Sequence, residues 1–309
     1  MHDSGGSSVR VYAMMVVVGL VMAHGVLAAQ RNSTWRDEVV LWGDSVEKAP
    51  LMRRPHNNLG TAYRDKGLLD EAAAEYERAL AITPDHVETR NNLGVVYVDK
   101  GMLDEAIAEY RRVLKVDPEY GEAYSNLGNA YRYKGAFDEA IGAYTRALEI
   151  NPDLAEAHYN LGVLYGKKGK TSEAERAYTR ALEINPDLAE AHYNLGNLYK
   201  AQGRLDEAIS EYRRALEIKP GHVNARINLG VVYRAKGLLD RAVVEYKRAL
   251  ELKPDFAEAY YNLGNLYEDQ GAFEKALECY RRFLQYWMGD RGVAEQMRRR
   301  MEELERRSR

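Results

Sequence analysis

The tripeptide Asn-Leu-Gly returns every 34 residues, and this period constrains the chain more than any other feature. The motif starts at Asn58, Asn92, Asn126, Asn160, Asn194, Asn228 and Asn262. Seven units of 34 residues run without a gap from Arg53 to Asp290 and cover 238 of the 309 residues. A fixed period of this length is typical of a solenoid, in which small supersecondary units stack on their neighbours. It argues against a chain of ordinary globular domains.

The composition of one repeat predicts a pair of helices. Numbering each repeat from 1 to 34, starting at Arg53, Gly occupies positions 8 and 15, Tyr positions 11 and 24, and Ala position 20 in all seven repeats. Gly at position 15 favours the left-handed conformation that ends a first helix. Acidic residues such as Asp70-Glu71 suit the start of a second helix, and Pro at position 32 ends it in six repeats. We therefore predict helix A over about positions 2–14 and helix B over about positions 18–31.

The Gly at position 8 lies inside helix A, where Gly costs roughly 1 kcal/mol relative to Ala. Its recurrence predicts a close approach between two helices. We expect the Ala at position 20 to be the small residue opposite this Gly, and the Tyr residues at positions 11 and 24 to fill the space between neighbouring repeats.

These residues carry a resemblance to a known family. The first repeat reads N-N-L-G-x-A-Y from Asn57, G-x-x-D-E-A from Gly67 and Y-x-x-A-L-x-x-x-P from Tyr76. The motifs resemble the tetratricopeptide repeat (TPR). The resemblance implies an all-α fold, a right-handed superhelix (α-solenoid) of seven helical hairpins whose A helices line a concave groove for a protein or peptide partner. The repeats are then 53–86, 87–120, 121–154, 155–188, 189–222, 223–256 and 257–290.

An uncharged stretch precedes the repeats. After an N-terminal tail, 1–10, residues 11–30 contain no Asp, Glu, Lys or Arg. Twenty helical residues reach roughly 30 Å, the thickness of a hydrocarbon core. We predict a transmembrane helix at 11–30 and a single-pass membrane protein with an N-terminal anchor, with a cleaved signal peptide as the alternative. The nearby Lys and Arg residues weakly favour a cytoplasmic array.

Both ends of the array differ from the repeats. Trp35, Val39, Trp42 and Val46 have the spacing of an amphipathic helix, so 33–50 is predicted to be a half repeat that caps repeat 1, with Ser33 or Thr34 as the cap of its first turn. At the other end, Val293, Met297, Met301 and Leu304 form one stripe, and 291–309 is predicted to be a C-terminal solvating helix.

The junction before repeat 1 carries a second resemblance. Trp35-Arg36-Asp37-Glu38, Leu41-Trp42 and Pro50 resemble the junction of transmembrane-and-TPR proteins related to protein O-mannosyltransferases. That resemblance places the array outside the cytoplasm and implies a membrane glycosyltransferase partner.

The candidate binding residues lie on helix A. Asn occupies position 6 in every repeat, and the same helices add Asn129, Asn197 and Asn265 at position 9 and Tyr159, Tyr193 and Tyr261 at position 5. An amide both donates and accepts hydrogen bonds, so a ladder of amides can pair with the backbone of an extended peptide. Tyr adds contact area at low entropic cost. The TPR arm of O-linked N-acetylglucosamine transferase has a similar ladder. Alternatively, these Asn side chains bond locally within the array.

Composition narrows the functional classes. The 44 Lys and Arg residues nearly balance the 47 Asp and Glu residues, which argues against nucleic-acid binding. No phosphate-binding loop or catalytic motif occurs, so we expect no enzyme activity, cofactor or metal. We predict a membrane-anchored scaffold that binds extended peptide segments. The alternative is a substrate-recruiting module of a membrane glycosyltransferase system, either O-mannosyltransferase-like or O-GlcNAc-transferase-like.

Overall fold

Every regular element in the described part of the chain is an α-helix. The structure, a computed structural model, describes residues 37–307. Its sixteen helices, α1 to α16 in chain order, are Glu38–Lys48, Arg53–Asp65, Leu69–Ile82, Val87–Asp99, Leu103–Val116, Gly121–Lys134, Phe137–Ile150, Ala155–Lys167, Thr171–Ile184, Ala189–Ala201, Leu205–Ile218, Val223–Ala235, Leu239–Leu252, Ala257–Asp269, Phe273–Tyr286 and Arg291–Arg307. The prediction of an all-helical repeat fold is confirmed.

Each repeat is a helical hairpin closed by its position-15 glycine. Helix A begins at position 1 and helix B at position 17, each one residue earlier than predicted. All seven position-15 glycines have φ between +69° and +81°, as expected. In repeat 1 the Gly67 amide donates to the Arg64 carbonyl at 2.8 Å, and the Leu68 amide donates to the Tyr63 carbonyl at 2.9 Å. This pair of bonds is the Schellman motif, which uses the free carbonyls at the end of helix A.

The position-8 glycine faces a tyrosine ring rather than the predicted alanine. A Cβ atom added to Gly94 would lie 2.5 Å from Cε1 of Tyr110, the position-24 residue of the same repeat. The other six repeats repeat this approach at distances up to 2.9 Å. Tyr at position 24 therefore packs within its own hairpin, on the bare backbone of helix A. The position-20 alanines are also fully buried, but the glycine makes room for the ring.

The chain divides between Ile150 and Asn151 into two compact parts. We call residues 37–150 the N-terminal half and 151–307 the C-terminal half. Within each half, helix B packs on the A helix of its own repeat and on the A helix of the next repeat, and successive A helices also contact one another. The A helices thus form a continuous layer in each half.

Two terminal helices complete the halves. Helix α1 packs on α2, and its N-cap is Asp37, whose carboxylate accepts from the Val39 amide at 3.0 Å. The predicted caps, Ser33 and Thr34, lie outside the described residues. Helix α16 packs on α15 and buries Met297 and Leu304, whereas Val293 of the predicted stripe is 37% exposed.

The predicted membrane localisation needs correction. None of the helices between residues 37 and 307 is long and apolar enough to cross a membrane. The longest, α16, has 17 residues and is rich in arginine and glutamate, so it is too short and too polar for a bilayer core. The predicted span, 11–30, lies outside the described residues. The helices that the structure describes therefore give no support to the predicted single-pass anchor.

Candidate peptide-binding surface

The A helices of each half present the predicted site residues in a row. We call the side chains at positions 5, 6 and 9 of the A helices the candidate surface. These side chains come from α2, α4 and α6 in the N-terminal half and from α8, α10, α12 and α14 in the C-terminal half. Most of them are partly buried, which leaves them accessible from one side.

In the C-terminal half the row is linked by hydrogen bonds between repeats. The Asn194 amide donates to the Tyr159 hydroxyl at 3.2 Å. One repeat further on, the Asn228 amide lies 3.4 Å from the Tyr193 hydroxyl and donates to Oδ1 of Asn197 at 2.8 Å. The structure therefore brings the predicted position-5, position-6 and position-9 residues together along one strip.

In the N-terminal half the strip is built differently. The Asn126 amide donates to Oδ1 of Asn91 at 3.0 Å, and the Asn91 amide donates to Glu122 at 2.9 Å. Asn57 accepts from the Thr89 hydroxyl at 2.8 Å. Asn57 and Asn91 stand at position 5, and both are buried. They connect neighbouring repeats, a role that the sequence analysis did not assign to these two residues.

The position-9 amides have a partner inside their own hairpin. The hydroxyls of Tyr144, Tyr212 and Tyr280 donate to Oδ1 of Asn129, Asn197 and Asn265 at 2.6, 2.8 and 2.9 Å. In repeat 6 position 9 is Val231, and the Tyr246 hydroxyl is buried with no partner among the described residues. Each of these side-chain carbonyl oxygens therefore already accepts one hydrogen bond from within the protein, which leaves fewer bonds for a ligand.

Three position-6 amides remain open. Asn58, Asn92 and Asn262 make no side-chain hydrogen bond to another residue between 37 and 307. All three are partly buried, and each offers two donors and a carbonyl oxygen. Asn160 makes an interaction of its own. Open amides thus occur in both halves, and Asn262 belongs to the last repeat.

A pocket of about 610 Å³ lies at the end of the candidate surface, between repeat 7 and α16. Its apolar lining comprises Tyr261, Phe283, Trp287, Val293 and Met297. The Phe283 ring lies 5.6 Å from the Tyr261 ring and 5.1 Å from the Trp287 ring, measured between centroids. The sequence signal for this pocket is Phe283, which replaces the small residue usual at position 27.

Charged groups frame the pocket unequally. The Arg300 guanidinium is held by Glu268, with Nε donating to Oε2 at 2.9 Å. The Glu258 carboxylate makes no ion pair with any other described residue. The Glu258 carboxylate therefore stands without a salt bridge beside a pocket that Gln296 and Arg300 also line, and it interacts electrostatically with Lys200.

Two further groups define the local chemistry. Burial lowers the pKa of Lys200, and its ammonium donates to Oδ1 of Asn228 at 2.9 Å, which places a cation on the strip. Burial raises the pKa of the Cys279 thiol to about 11, so this side chain packs as an unreactive apolar group. Residues 37–307 contain no cluster of three or more His, Cys, Asp or Glu side chains that could hold a metal ion.

A stack of helical hairpins with one accessible layer of A helices defines a protein-interaction scaffold of the α-solenoid class. TPR repeat profiles match residues 60–101, 96–135, 128–169 and 232–271, and tetratricopeptide repeat profiles match 159–223 and 257–286. The chain belongs to the tetratricopeptide repeat family.

Solved structures of other TPR proteins are similar. MamA is 36% identical over 54% of this chain and 97% of its own, with a TM-score of 0.50. YrrB, described as a TPR protein with an unusual peptide-binding site, is 28% identical over 60% of this chain and 96% of its own, with a TM-score of 0.53. The pilF protein of Pseudomonas aeruginosa, at 19% identity, 71% and 96% coverage and a TM-score of 0.61, shares the fold.

No curated protein matches the chain. The comparisons give no support to the predicted junction of O-mannosyltransferase-related proteins, nor to a glycosyltransferase partner. Residues 37–50, where part of that junction lies, form a capping helix on repeat 1. A short amphipathic helix before a TPR array accounts for its tryptophan and apolar spacing.

Proposed function

We propose that the candidate surface binds extended segments of a partner protein, and that the C-terminal half holds an apolar side chain of that segment in the pocket beside α16. The observation that carries the proposal is the adjacency of an open amide and an apolar pocket on repeat 7. Asn262 follows Tyr261 directly in α14, and Tyr261 lines the pocket. Amides for the backbone and a pocket for one side chain are what recognition of an extended peptide requires.

The lining indicates the chemistry of the anchor. Three aromatic rings, Val293 and Met297 favour a large aliphatic or aromatic side chain. Because Glu258 has no ion pair among the described residues, a Lys or Arg next to the anchor would gain an electrostatic partner. We therefore expect bound segments to contain a large apolar residue beside a basic one.

Selection from a random 12-residue phage-displayed peptide library tests this function. We expect enriched peptides with the apolar-basic pattern, and binding of a synthetic enriched peptide weakened at least tenfold by Val293→Arg, which places a charge in the pocket. Val293 is 37% exposed, so its replacement leaves the core unchanged.

The matched control is Val244→Arg. Val244 is 44% exposed on α13, a B helix, and lies away from the candidate surface. Equal binding to wild type and to Val293→Arg, or enrichment of peptides without an apolar anchor, would contradict the proposal.

A further inference from the structure

Arginines at position 4 connect consecutive repeats in a recurring way. In repeat 2, Nε of Arg90 donates to the Pro84 carbonyl at 2.8 Å, and Nη1 donates to Glu109 at 2.7 Å. In repeat 6, Arg226 donates to the Pro220 carbonyl at 2.8 Å and to Glu245 at 3.0 Å. The proline, at position 32, belongs to the preceding repeat, and the glutamate, at position 23, belongs to helix B of the same repeat. We call this three-part contact the junction clasp.

Two histidines occupy the same clasp. In repeat 1, Nδ1 of His56 lies 2.6 Å from Oε2 of Glu75 and Nε2 lies 2.9 Å from the Pro50 carbonyl. In repeat 5, Nδ1 of His192 lies 2.6 Å from Glu211 and Nε2 lies 3.0 Å from the Pro186 carbonyl. His56 and Glu75 are each 5% exposed, so water is largely excluded from that pair.

The number of protons in each histidine clasp follows from its partners. A carbonyl oxygen can only accept, so Nε2 must carry a proton. An ionised carboxylate can only accept too, so Nδ1 must carry a second proton. A neutral imidazole has one N–H and satisfies one of these two contacts. The geometry thus matches the imidazolium ion, the same charge state that arginine holds permanently at this position.

Residue pairing within the array supports this assignment. The four repeats with Glu at position 23 have His or Arg at position 4. Where position 23 is Ala143, Ala177 or Cys279, position 4 is Tyr124, His158 or Tyr260. Within residues 37–307, the His158 ring has one hydrogen bond, from Nε2 to the Pro152 carbonyl at 3.0 Å, and a single ring N–H is enough for it. A carboxylate therefore occurs at position 23 only in repeats that have Arg or His at position 4.

The surroundings add one further charge. Arg78 of α3 contacts the second oxygen of Glu75. Glu211 has no other hydrogen bond or ion pair within residues 37–307, so His192 supplies its only charged partner there. The repeat 5 clasp consequently depends more on the protonated ring than the repeat 1 clasp does.

We propose that His56 and His192 act as proton-dependent clasps of two junctions, between α1 and repeat 1 and between repeats 4 and 5. Loss of the ring proton removes one of the two hydrogen bonds and turns a nitrogen lone pair toward a carboxylate. Histidine changes charge between about pH 5 and 8. Because both ring nitrogens face acceptors, we expect the two junctions to weaken as the pH rises.

Urea unfolding of the full chain between pH 6 and 8.5 tests the proposal. We expect the wild-type midpoint to fall with rising pH, and the double variant His56→Arg, His192→Arg to show less than half of that fall. His158→Arg, which lacks the carboxylate, should keep the wild-type slope, and Arg90→His should steepen it. Equal slopes in wild type and in the double variant would overturn the proposal.

NMR of the histidine rings gives an independent measurement on the unmodified protein. At pH 6 both ring nitrogens of His56 and His192 should carry protons, because each nitrogen faces a hydrogen-bond acceptor. Neutral His56 and His192 rings at pH 6 would also overturn the proposal, whatever the folding of the variants.

Discussion

The position-24 tyrosines differ in whether the hydroxyl has a hydrogen-bond partner. Tyr212 donates to Asn197 at 2.8 Å, whereas the equally buried Tyr246 has Val231 at the corresponding place and no partner among the described residues. A buried hydroxyl without a partner loses its bonds to water and gains nothing in return. The same residue type at the same position therefore differs in its contribution to stability.

Removing each hydroxyl tests this difference. Tyr212→Phe is expected to lower the free energy of unfolding by about 1 kcal/mol, because it removes one of the two hydrogen bonds that Oδ1 of Asn197 accepts. Tyr246→Phe should leave it unchanged or raise it by up to about 1 kcal/mol. Urea titrations of both variants compare them directly, and an equal loss in the two would contradict the assignment.

Residue roles that depend on local backbone conformation could be predicted from the sequence, whereas roles that depend on a contact with another helix could not. Gly135 could be assigned to a helix end because its conformation, with φ +81°, is a local property of the backbone. The partner of Gly128 could not, because the Tyr144 ring that covers it comes from another helix. The predicted roles of the Asn residues in ligand binding stay predictions, while the structure shows that several of them also bond within the array.

At the scale of the helix, two interior glycines have opposite effects on packing. Gly94 in α4 lies against the buried Tyr110 ring, and an added Cβ would approach that ring to 2.5 Å. Gly142 in α7 has nothing within 4 Å of such an atom and is exposed. Helix propensity favours Ala at both positions by about 1 kcal/mol, so only packing distinguishes them.

We expect Gly94→Ala to destabilise the protein by about 1–3 kcal/mol, because a ring that is fully enclosed cannot move aside without strain. Gly142→Ala, its matched control, should stabilise by about 0.5–1 kcal/mol. Thermal unfolding followed by circular dichroism measures both. If Gly94→Ala were stabilising as well, the ring contact would not determine the need for glycine.

Helix boundaries could be predicted to within one residue because glycine and proline recur at fixed positions. The first helix was harder, since no repeat precedes it. Its cap is Asp37 rather than Ser33 or Thr34, so the side chain that satisfies the first amides comes four residues after the predicted serine. Any of these three residue types can cap a helix, so the residue type alone does not determine where α1 begins.

At the scale of the molecule, the C-terminal half contains what a solenoid needs to fold. It has four repeats and a terminal helix that buries Met297 and Leu304 against repeat 7. Three or more stacked repeats give a stable array when the end is covered. We expect residues 151–309, expressed alone, to be helical and to unfold cooperatively in urea.

The matched fragment is 151–290, which lacks α16. Removal of that helix uncovers Leu277 and Phe283, both now at most 5% exposed. We expect this fragment to unfold at a lower urea concentration and to associate in solution, as measured by light scattering. A disordered 151–309 fragment, or equal stability of the two, would contradict the capping role of α16.

The family and the fold could be predicted from the sequence because the same pattern of glycine, tyrosine and alanine occurs in all seven repeats. The pocket beside α16 was not, because it arises where the repetition ends. Phe283, Trp287 and Val293 meet there only because α16 returns over repeat 7. The predicted membrane localisation is not supported, because none of the helices between residues 37 and 307 is long and apolar enough to cross a bilayer.

The tyrosine that rests on the position-8 glycine also reaches the outer layer of the hairpin. In repeat 5, Oδ1 of Asn197 receives both the hydroxyl of Tyr212, from the interior, and the amide of Asn228, from the accessible strip. A peptide that donated a hydrogen bond to this oxygen would compete with the hydrogen bonds from Tyr212 and Asn228, which join the two helices of repeat 5 to each other and to repeat 6. Oδ1 of Asn197 would then take part both in ligand binding and in the contact between repeats. Binding of a peptide would therefore change the stability of the packing between the hairpins.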